Sequence, residues 1–228
     1  MYKCCIFDLD GTLVDSIKAI NYTINLTLRK YDLGPISEDE CKIFVGDGYK
    51  KLVERALIHC GDKNLVNYED GILTYKEYFK VHCLYKVNPY DGIDDLLSYL
   101  KDNNIKVAVL SNKPHDRVIE NIEGVFENRY FDYLVGEKAN IKRKPDPAGA
   151  IIISKELDIP LENCLYIGDT DTDMKTGINA NIDTVGVTWG FRPKEELELY
   201  NPKYLVNHPR DIISIIEKSN KLELSNSN

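Results

Sequence analysis

The stretch Cys4-Cys5-Ile6-Phe7-Asp8-Leu9-Asp10-Gly11-Thr12-Leu13-Val14-Asp15-Ser16 decides how this chain is read. Residues 4–7 are a short apolar run of the kind that fills a buried strand. Two carboxylates, Asp8 and Asp10, follow where that strand ends. Gly11 comes next, a residue that lets the backbone turn sharply and approach a ligand closely. Ligands collect at the carboxyl ends of strands in an open parallel sheet, so a buried strand ending in D-x-D-G-T reads as a site. With the strand broken at Gly11, Asp8 points at a reacting atom and Asp10 curls over it. Two ionised carboxylates this close repel, and a dication relieves the repulsion. All-oxygen ligation makes that dication Mg²⁺. The competing reading is a surface turn, since D-G is a common turn dipeptide.

Beyond Ser16 the pattern changes to helix. Ile17, Ile20, Ile24, Leu28 and Tyr31 recur at helical spacing, and Gly34-Pro35 ends the run. Ser37 with Glu40 forms a capping box that opens a second helix through Phe44. Gly46-Asp47-Gly48 interrupts, and a third helix over 49–59 is closed by Gly61. A fourth is predicted over 68–86, with Gly71 as its weak point. Helices of this length with short connections pack as a bundle. From the turn cluster Asn88-Pro89-Tyr90-Asp91-Gly92 onward the pattern alternates. Strands are predicted at 105–110, 130–135, 164–167, 182–187 and 204–206, with helices between them and a last helix near 211–217. Residues 219–228 are polar and expected to fray. Alternation of this kind means an α/β fold, a Rossmann-like doubly wound parallel sheet covered on both faces. The predicted domains are therefore a core of residues 1–15 and 88–228 and an inserted α-helical cap of residues 16–87, read as a lid beside Asp8.

Composition narrows the class. The 228 residues carry 29 Lys and Arg against 37 Asp and Glu, a net charge of −8. Nucleic acid is not expected as a partner, because a duplex binder needs a basic footprint. A phosphorylated substrate is still allowed, since a few local cations outweigh the bulk sign. The six cysteines show no C-x-x-C or zinc spacing and read as small buried hydrophobes in a reducing, cytoplasmic setting. No signal peptide is expected, since the N-terminus runs directly into the first strand. No membrane span is expected either, since no apolar run approaches 18 residues.

Three further constellations fall at later strand ends or just after them. Ser111-Asn112-Lys113-Pro114 follows the second strand, Lys142-Arg143-Lys144-Pro145-Asp146-Pro147 the third, and Gly168-Asp169-Thr170-Asp171-Thr172-Asp173 the fourth. Together with D-L-D-G-T-L-V-D-S, the S-N, K-P-D-P and G-D-T-D-T-D segments resemble the four motifs of the haloacid dehalogenase-like superfamily of phosphohydrolases. They occur in that family's order, and the resemblance covers the chain from Lys3 to about Glu217. The resemblance implies that Asp8 is a nucleophile forming an aspartyl-phosphate, a recognised covalent strategy. Asp10 would protonate the leaving alkoxide and then activate water. Mg²⁺ would be held by an Asp8 oxygen, the Asp10 carbonyl and Asp169, with Asp173 orienting a metal-bound water or Lys144. Ser111, Asn112 and the backbone N–H groups after Asp8, at Leu9, Gly11 and Thr12, would meet phosphate oxygens. Lys144 would place its charge between Asp8 and the phosphate, and Lys113 is a further phosphate or substrate contact.

Each assignment has a rival. Ser111-Asn112 could cap the helix that Pro114 opens. Lys142, Arg143 and Lys144 could be one solvated basic loop; Pro145, Pro147 and the family's K-P-x-P pattern single out Lys144. Asp169, Asp171 and Asp173 mimic a calcium loop, but Met174 and Ala180 stand where Gly and Glu are needed. Asp171 is left without an assigned role. Gly46-Asp47-Gly48 lacks Walker spacing and reads as a helix–helix turn or as a cap loop reaching the leaving group. An α-helical insertion directly after the first motif, with F-V-G-D-G-Y-K-K-L-V-E-R-A-L, S-N-K-P and V-G-V-T-W-G-F, resembles the phosphoglycolate phosphatase-like group. The expected function is a Mg²⁺-dependent phosphatase acting on a small phosphorylated metabolite, phosphoglycolate foremost, as a monomer or homodimer. The alternatives are a phosphomutase or pyrophosphatase on the same scaffold, or a non-catalytic regulator that binds a phosphorylated ligand.

Overall fold

The structure, a computed structural model, describes residues 1–226. The chain begins with β1 (Cys4–Phe7) and β2 (Val14–Asp15), then runs through four helices, α1 (Ile17–Arg29), α2 (Glu38–Phe44), α3 (Tyr49–His59) and α4 (Tyr68–His82). A short strand β3 (Asn88–Pro89) and α5 (Ile93–Asp102) lead to β4 (Lys106–Pro114), α6 (His115–Phe126), β5 (Tyr133–Glu137) and α7 (Ala148–Glu156). The remainder is β6 (Cys164–Gly168), α8 (Asp171–Ala180), β7 (Asp183–Val187), α9 (Lys194–Glu198), β8 (Tyr204–Val206) and α10 (Pro209–Asn226). It divides into two compact units, Met1–Val14 with Pro89–Asn228, and Asp15–Asn88.

The first unit is built on a six-stranded sheet in the order β5-β4-β1-β6-β7-β8. All five pairings are parallel, so the α/β, Rossmann-like architecture stands. β1 is fully enclosed because strands pair on both its edges and helices cover the sheet. Cys4, Cys5, Ile6 and Phe7 are all buried, which is why they read as a continuous apolar run instead of an alternating one. From β1 the chain builds β4 and β5 on one side, then crosses back to place β6 on the other. The carboxyl end of β1 therefore lies at the switch point of the sheet, where crevices form.

Several elements differ from their predicted bounds, each for a local reason. β4 runs on to Pro114 instead of stopping at Leu110, with a register shift between Leu110 and Pro114. Polar Ser111, Asn112 and Lys113 are buried in that extension, so propensity alone marked them as a loop. Gly136 of β5 permits the close approach, because a Cβ there would collide with the Lys113 carbonyl and the His115 backbone. β5 starts at Tyr133; Asp132 before it is occupied by Lys106 and the Val107 N–H, at 2.6 and 2.9 Å. α10 continues to Asn226, so the expected fraying from 219 is not seen through that residue. Residues 227–228 of that expectation lie outside the described residues.

In the helical unit α1 buries Ile17, Ile20, Ile24 and Leu28, as its spacing requires. The Ser37–Glu40 capping box is formed on both sides. α4 passes through Gly71 unbroken and ends at His82, four residues short of the prediction. Gly71 is buried, and a Cβ there would lie 3.3 Å from Val53 Cγ1, so it serves close helix packing and is no breaker. Gly46 and Gly48 have φ of 114° and 85° and turn the chain between α2 and α3. There Arg55 holds Asp47 and the Phe44 carbonyl at 2.5 and 2.8 Å. Among the described residues no helix is long and apolar enough to cross a membrane.

Candidate active site

The loop after β1 is wound tightly. The Leu9 carbonyl accepts from Leu13 and Val14 at 3.0 and 3.1 Å, and the Gly11 N–H donates to Val14 O at 2.9 Å. Gly11 has φ of 86°, and a Cβ on it would strike the Asp169 carboxylate. Its role here is conformational, since its N–H is committed within the loop. The Leu9 N–H donates to Asp8 Oδ1 at 2.7 Å, and the Thr12 N–H reaches Leu9 O at 3.4 Å. The three backbone donors expected to meet phosphate are thus engaged locally in this structure. The Thr12 side chain does something the sequence reading missed: it donates to Asp169 Oδ1 at 2.9 Å.

Asp8 just after β1, Asp169 after β6 and Asp173 from α8 converge, each offering a carboxylate oxygen within 4.8 Å of the others. All three are buried. Lys144 supplies the compensating charge, its Nζ lying 2.9 Å from Asp8 Oδ1 and 2.7 Å from Asp173 Oδ1. Of the three basic residues in its loop only Lys144 is enclosed, its side chain 2% exposed, whereas that of Lys142 is 81% exposed and faces Asp146. The solvated-loop reading fails for Lys144 alone.

Asp173 is held on both sides. Its Oδ1 also accepts from Tyr166 at 3.3 Å, and its Oδ2 from the Thr170 hydroxyl and N–H at 2.6 and 3.0 Å. Thr170 and Asp173 form the capping box of α8. The T-x-x-D spacing could have announced it. Asp169 Oδ2 accepts from the Phe191 N–H at 2.8 Å, and Gly190 is required beside it because a Cβ there would meet Asp169 and Gly11 O. Both belong to the V-G-V-T-W-G-F stretch, read from the sequence as closing the sheet beside the site, although the sequence assigns neither residue a role. Asp171, left unassigned, pairs with Lys175 at 2.6 Å on the α8 surface.

The electrostatics follow from crowding three acids in a buried space. Burial pushes the Asp8 carboxyl up to about 7 from 3.8; the Asp173 charge adds to the rise and Lys144 opposes it. Burial, then Asp173 and Asp8, raise Asp169 well above the carboxylate range. Burial alone would lower Lys144, but the Asp173 and Asp8 charges outweigh it and hold its ammonium well above 10.5. A hard dication among three acidic oxygens would reverse the rise of the carboxyls. The donor set, carboxylates only with no sulfur or imidazole, fits Mg²⁺.

The β4 extension brings in the remaining residues. The Asn112 amide donates to the Lys144 carbonyl at 3.1 Å, and the Ser111 hydroxyl accepts from the Lys113 N–H at 3.3 Å. Neither caps α6, whose N-terminus is Pro114 without a side-chain cap. Lys113, expected as a phosphate or substrate contact, lies with Nζ 2.7 Å from Asp10 Oδ1. Its Nζ also donates to Asn121 Oδ1 of α6, at 2.8 Å, a residue that nothing in the sequence marked.

The family described as Haloacid dehalogenase-like hydrolase matches residues 5–187, most of the chain and all four constellations. The chain belongs to the haloacid dehalogenase-like hydrolase family. Several of the relatives it resembles are named phosphoglycolate phosphatases. A phosphoglycolate phosphatase of Colwellia psychrerythraea is 31% identical over 203 residues, spanning 87% of this chain and 90% of its own. One from Aquifex aeolicus is 28% identical over 215 residues, spanning 94% and 97%. The solved structure of a predicted phosphatase from Clostridium acetobutylicum superposes with a TM-score of 0.82 at 28% identity, covering 96% of this chain and 99% of its own. This member of the family is accordingly an enzyme of the phosphatase kind, phosphoglycolate phosphatase-like in sequence.

Proposed function

We propose that this haloacid dehalogenase-like enzyme is a Mg²⁺-dependent phosphatase that hydrolyses small phosphomonoesters through an aspartyl-phosphate on Asp8. Phosphoglycolate is the leading substrate, on the names of the relatives above. The observation that carries the reading is the buried Lys144 ammonium bridging Asp8 and Asp173 while Asp169 converges from the next strand end. This much buried charge stabilises a fold poorly, and it suits a phosphoryl group whose equatorial oxygens must be neutralised.

Asp8, Asp169 and the Asp10 carbonyl would hold Mg²⁺, with Asp173 close by. The ion would offset the phosphate's charge and keep the Asp8 carboxylate ionised at neutral pH. An Asp8 oxygen attacks phosphorus while the bond to the leaving oxygen breaks. Asp10 gives its proton to that oxygen and then removes one from the water that hydrolyses the acyl phosphate. Lys144 eases repulsion between Asp8 and the substrate. Asp173, gripped by Thr170 and Tyr166, orients Lys144. Ser111 and Asn112 contribute phosphate contacts. The helical unit is proposed as the cap that excludes water and selects the substrate.

The test is phosphate release from a panel of small phosphoesters, with and without Mg²⁺, on the wild type and Asp8→Asn. Release that needs Mg²⁺, vanishes in Asp8→Asn and is greatest for phosphoglycolate supports mechanism and substrate. A product isomerised instead of hydrolysed would replace the phosphatase by a mutase.

A further inference from the structure

Lys113 joins three elements through one ammonium. Its Nζ donates to Asp10 Oδ1 at 2.7 Å and to Asn121 Oδ1 at 2.8 Å. Asp10 lies in the loop after β1, Lys113 near the end of β4, and Asn121 in the second turn of α6. Asn121 is fully buried, on a helix whose other buried residues are Val118, Ile122 and Phe126. A buried amide costs free energy unless it is hydrogen-bonded, and an apolar residue would pack this face without that cost. Lysine carries its charge on a flexible four-carbon stem, so an acceptor fixed on a helix narrows where its ammonium can sit beside Asp10. The second acceptor, fixed on a helix, sets where Nζ sits and therefore which way the Asp10 carboxyl faces.

We propose that Asn121 is a positioning residue of the phosphatase reaction, acting through Lys113 to fix the orientation of the Asp10 carboxyl. The inference rests on the reading of Asp10 as proton donor. In that step the bond from phosphorus to the leaving oxygen breaks, the bond to Asp8 forms, and the proton on Asp10 passes to the departing oxygen. A misdirected donor harms a reluctant leaving group far more than one that departs unprotonated.

The experiment compares the full-length wild type, Asn121→Leu, Asn121→Asp and Lys113→Met with Mg²⁺ on phosphoglycolate and on p-nitrophenyl phosphate, whose leaving group departs as a stabilised phenolate. General acid catalysis is worth about 10²–10⁴-fold, so Asn121→Leu should lose roughly 30-fold in kcat on phosphoglycolate and under about 3-fold on p-nitrophenyl phosphate. Asn121→Asp, which keeps the acceptor, should remain close to wild type on both esters. Lys113→Met should show the same split between esters, which keeps the test alive if Asn121→Leu does not fold. Equal losses on both esters, unchanged kinetics in Asn121→Leu, or a rise in KM alone in Lys113→Met would overturn the proposal. Those outcomes leave the phosphatase reading standing. A wild type that releases phosphate from neither ester would overturn that reading and this inference with it.

Discussion

Lys144 and Lys30 hold similar partners in opposite surroundings. Lys144, in the sheet unit, is 2% exposed and lies between Asp8 and Asp173. Lys30, in the helical unit, is 42% exposed and meets Asp70 at 2.8 Å. The contrast extends to the neighbours. In the sheet unit Asp169 and Thr170 are also buried around Lys144, whereas Lys42–Asp39 and Lys51–Glu54 of the helical unit lie at its surface. The interior of the helical unit is mostly apolar and aromatic, with Tyr75 and Phe79 stacked at 5.3 Å between centroids, and its buried Asp62 carboxylate accepts from the Val66 and Asn67 N–H groups at 2.9 Å. Exposed pairs contribute little to stability, so the helical unit is held by its apolar faces. Buried pairs are worse than apolar packing of the same volume unless something else retains them. In the sheet unit that something is chemistry.

The largest effect expected is on turnover. Asp8→Asn should lower phosphate release by about 10³-fold or more, because the proposed covalent nucleophile is removed. Its circular dichroism should match wild type, and substantial residual release would remove Asp8 from the covalent role. Next comes Lys144→Met, which leaves two buried carboxylates unpaired. Removing one partner of a buried pair costs about 3–5 kcal/mol, readable by urea unfolding at neutral pH. A loss below that of an ordinary surface substitution would break the contrast between the two lysines.

A pH series sharpens the same contrast. The folded Asp8 carboxyl is raised from 3.8 to about 7 by burial and by the Asp173 charge. The folded state then binds more protons than the unfolded state between those values. The contribution of Asp8 to stability is present below about pH 4 and is lost as pH rises through about 7. In metal-free protein Asp8→Asn should therefore gain on wild type in unfolding free energy from pH 4 to pH 7. A flat or opposite difference would contradict the crowding of acids around Asp8. The smallest effect belongs to the helical unit. Ser37→Ala removes one side of the α2 capping box and should cost about 1 kcal/mol by urea unfolding, with phosphate release unchanged.

Most strands and helices were legible because burial imposes periodicity. The β1 run and the helical spacing of α1 needed no tertiary information. Asp8, Asp10 and Asp169 could be singled out because acids at strand ends stand out against apolar runs, whereas Lys144, in a run of three basic residues, was singled out only by its flanking prolines and the family pattern. The β4 extension was missed, since Ser111, Asn112 and Lys113 look like a loop until Gly136 is seen to admit them. Asn121 was missed because one amide inside an amphipathic helix carries no pattern. Thr12 was noticed for its backbone, while the structure uses its hydroxyl.

By itself the sequence determined the alternating architecture, the helical insertion and the residue types at the strand ends, because local periodicity and turn chemistry are written within short windows. Only the tertiary structure decided which of those residues meet. The approach of Lys144 to Asp8 and Asp173, of Thr12 and Phe191 to Asp169, and of Asn121 to Lys113 joins positions far apart in the chain. Such distances are set by how the parallel strands register and how α6 and α8 pack beside them, and no local window contains that information.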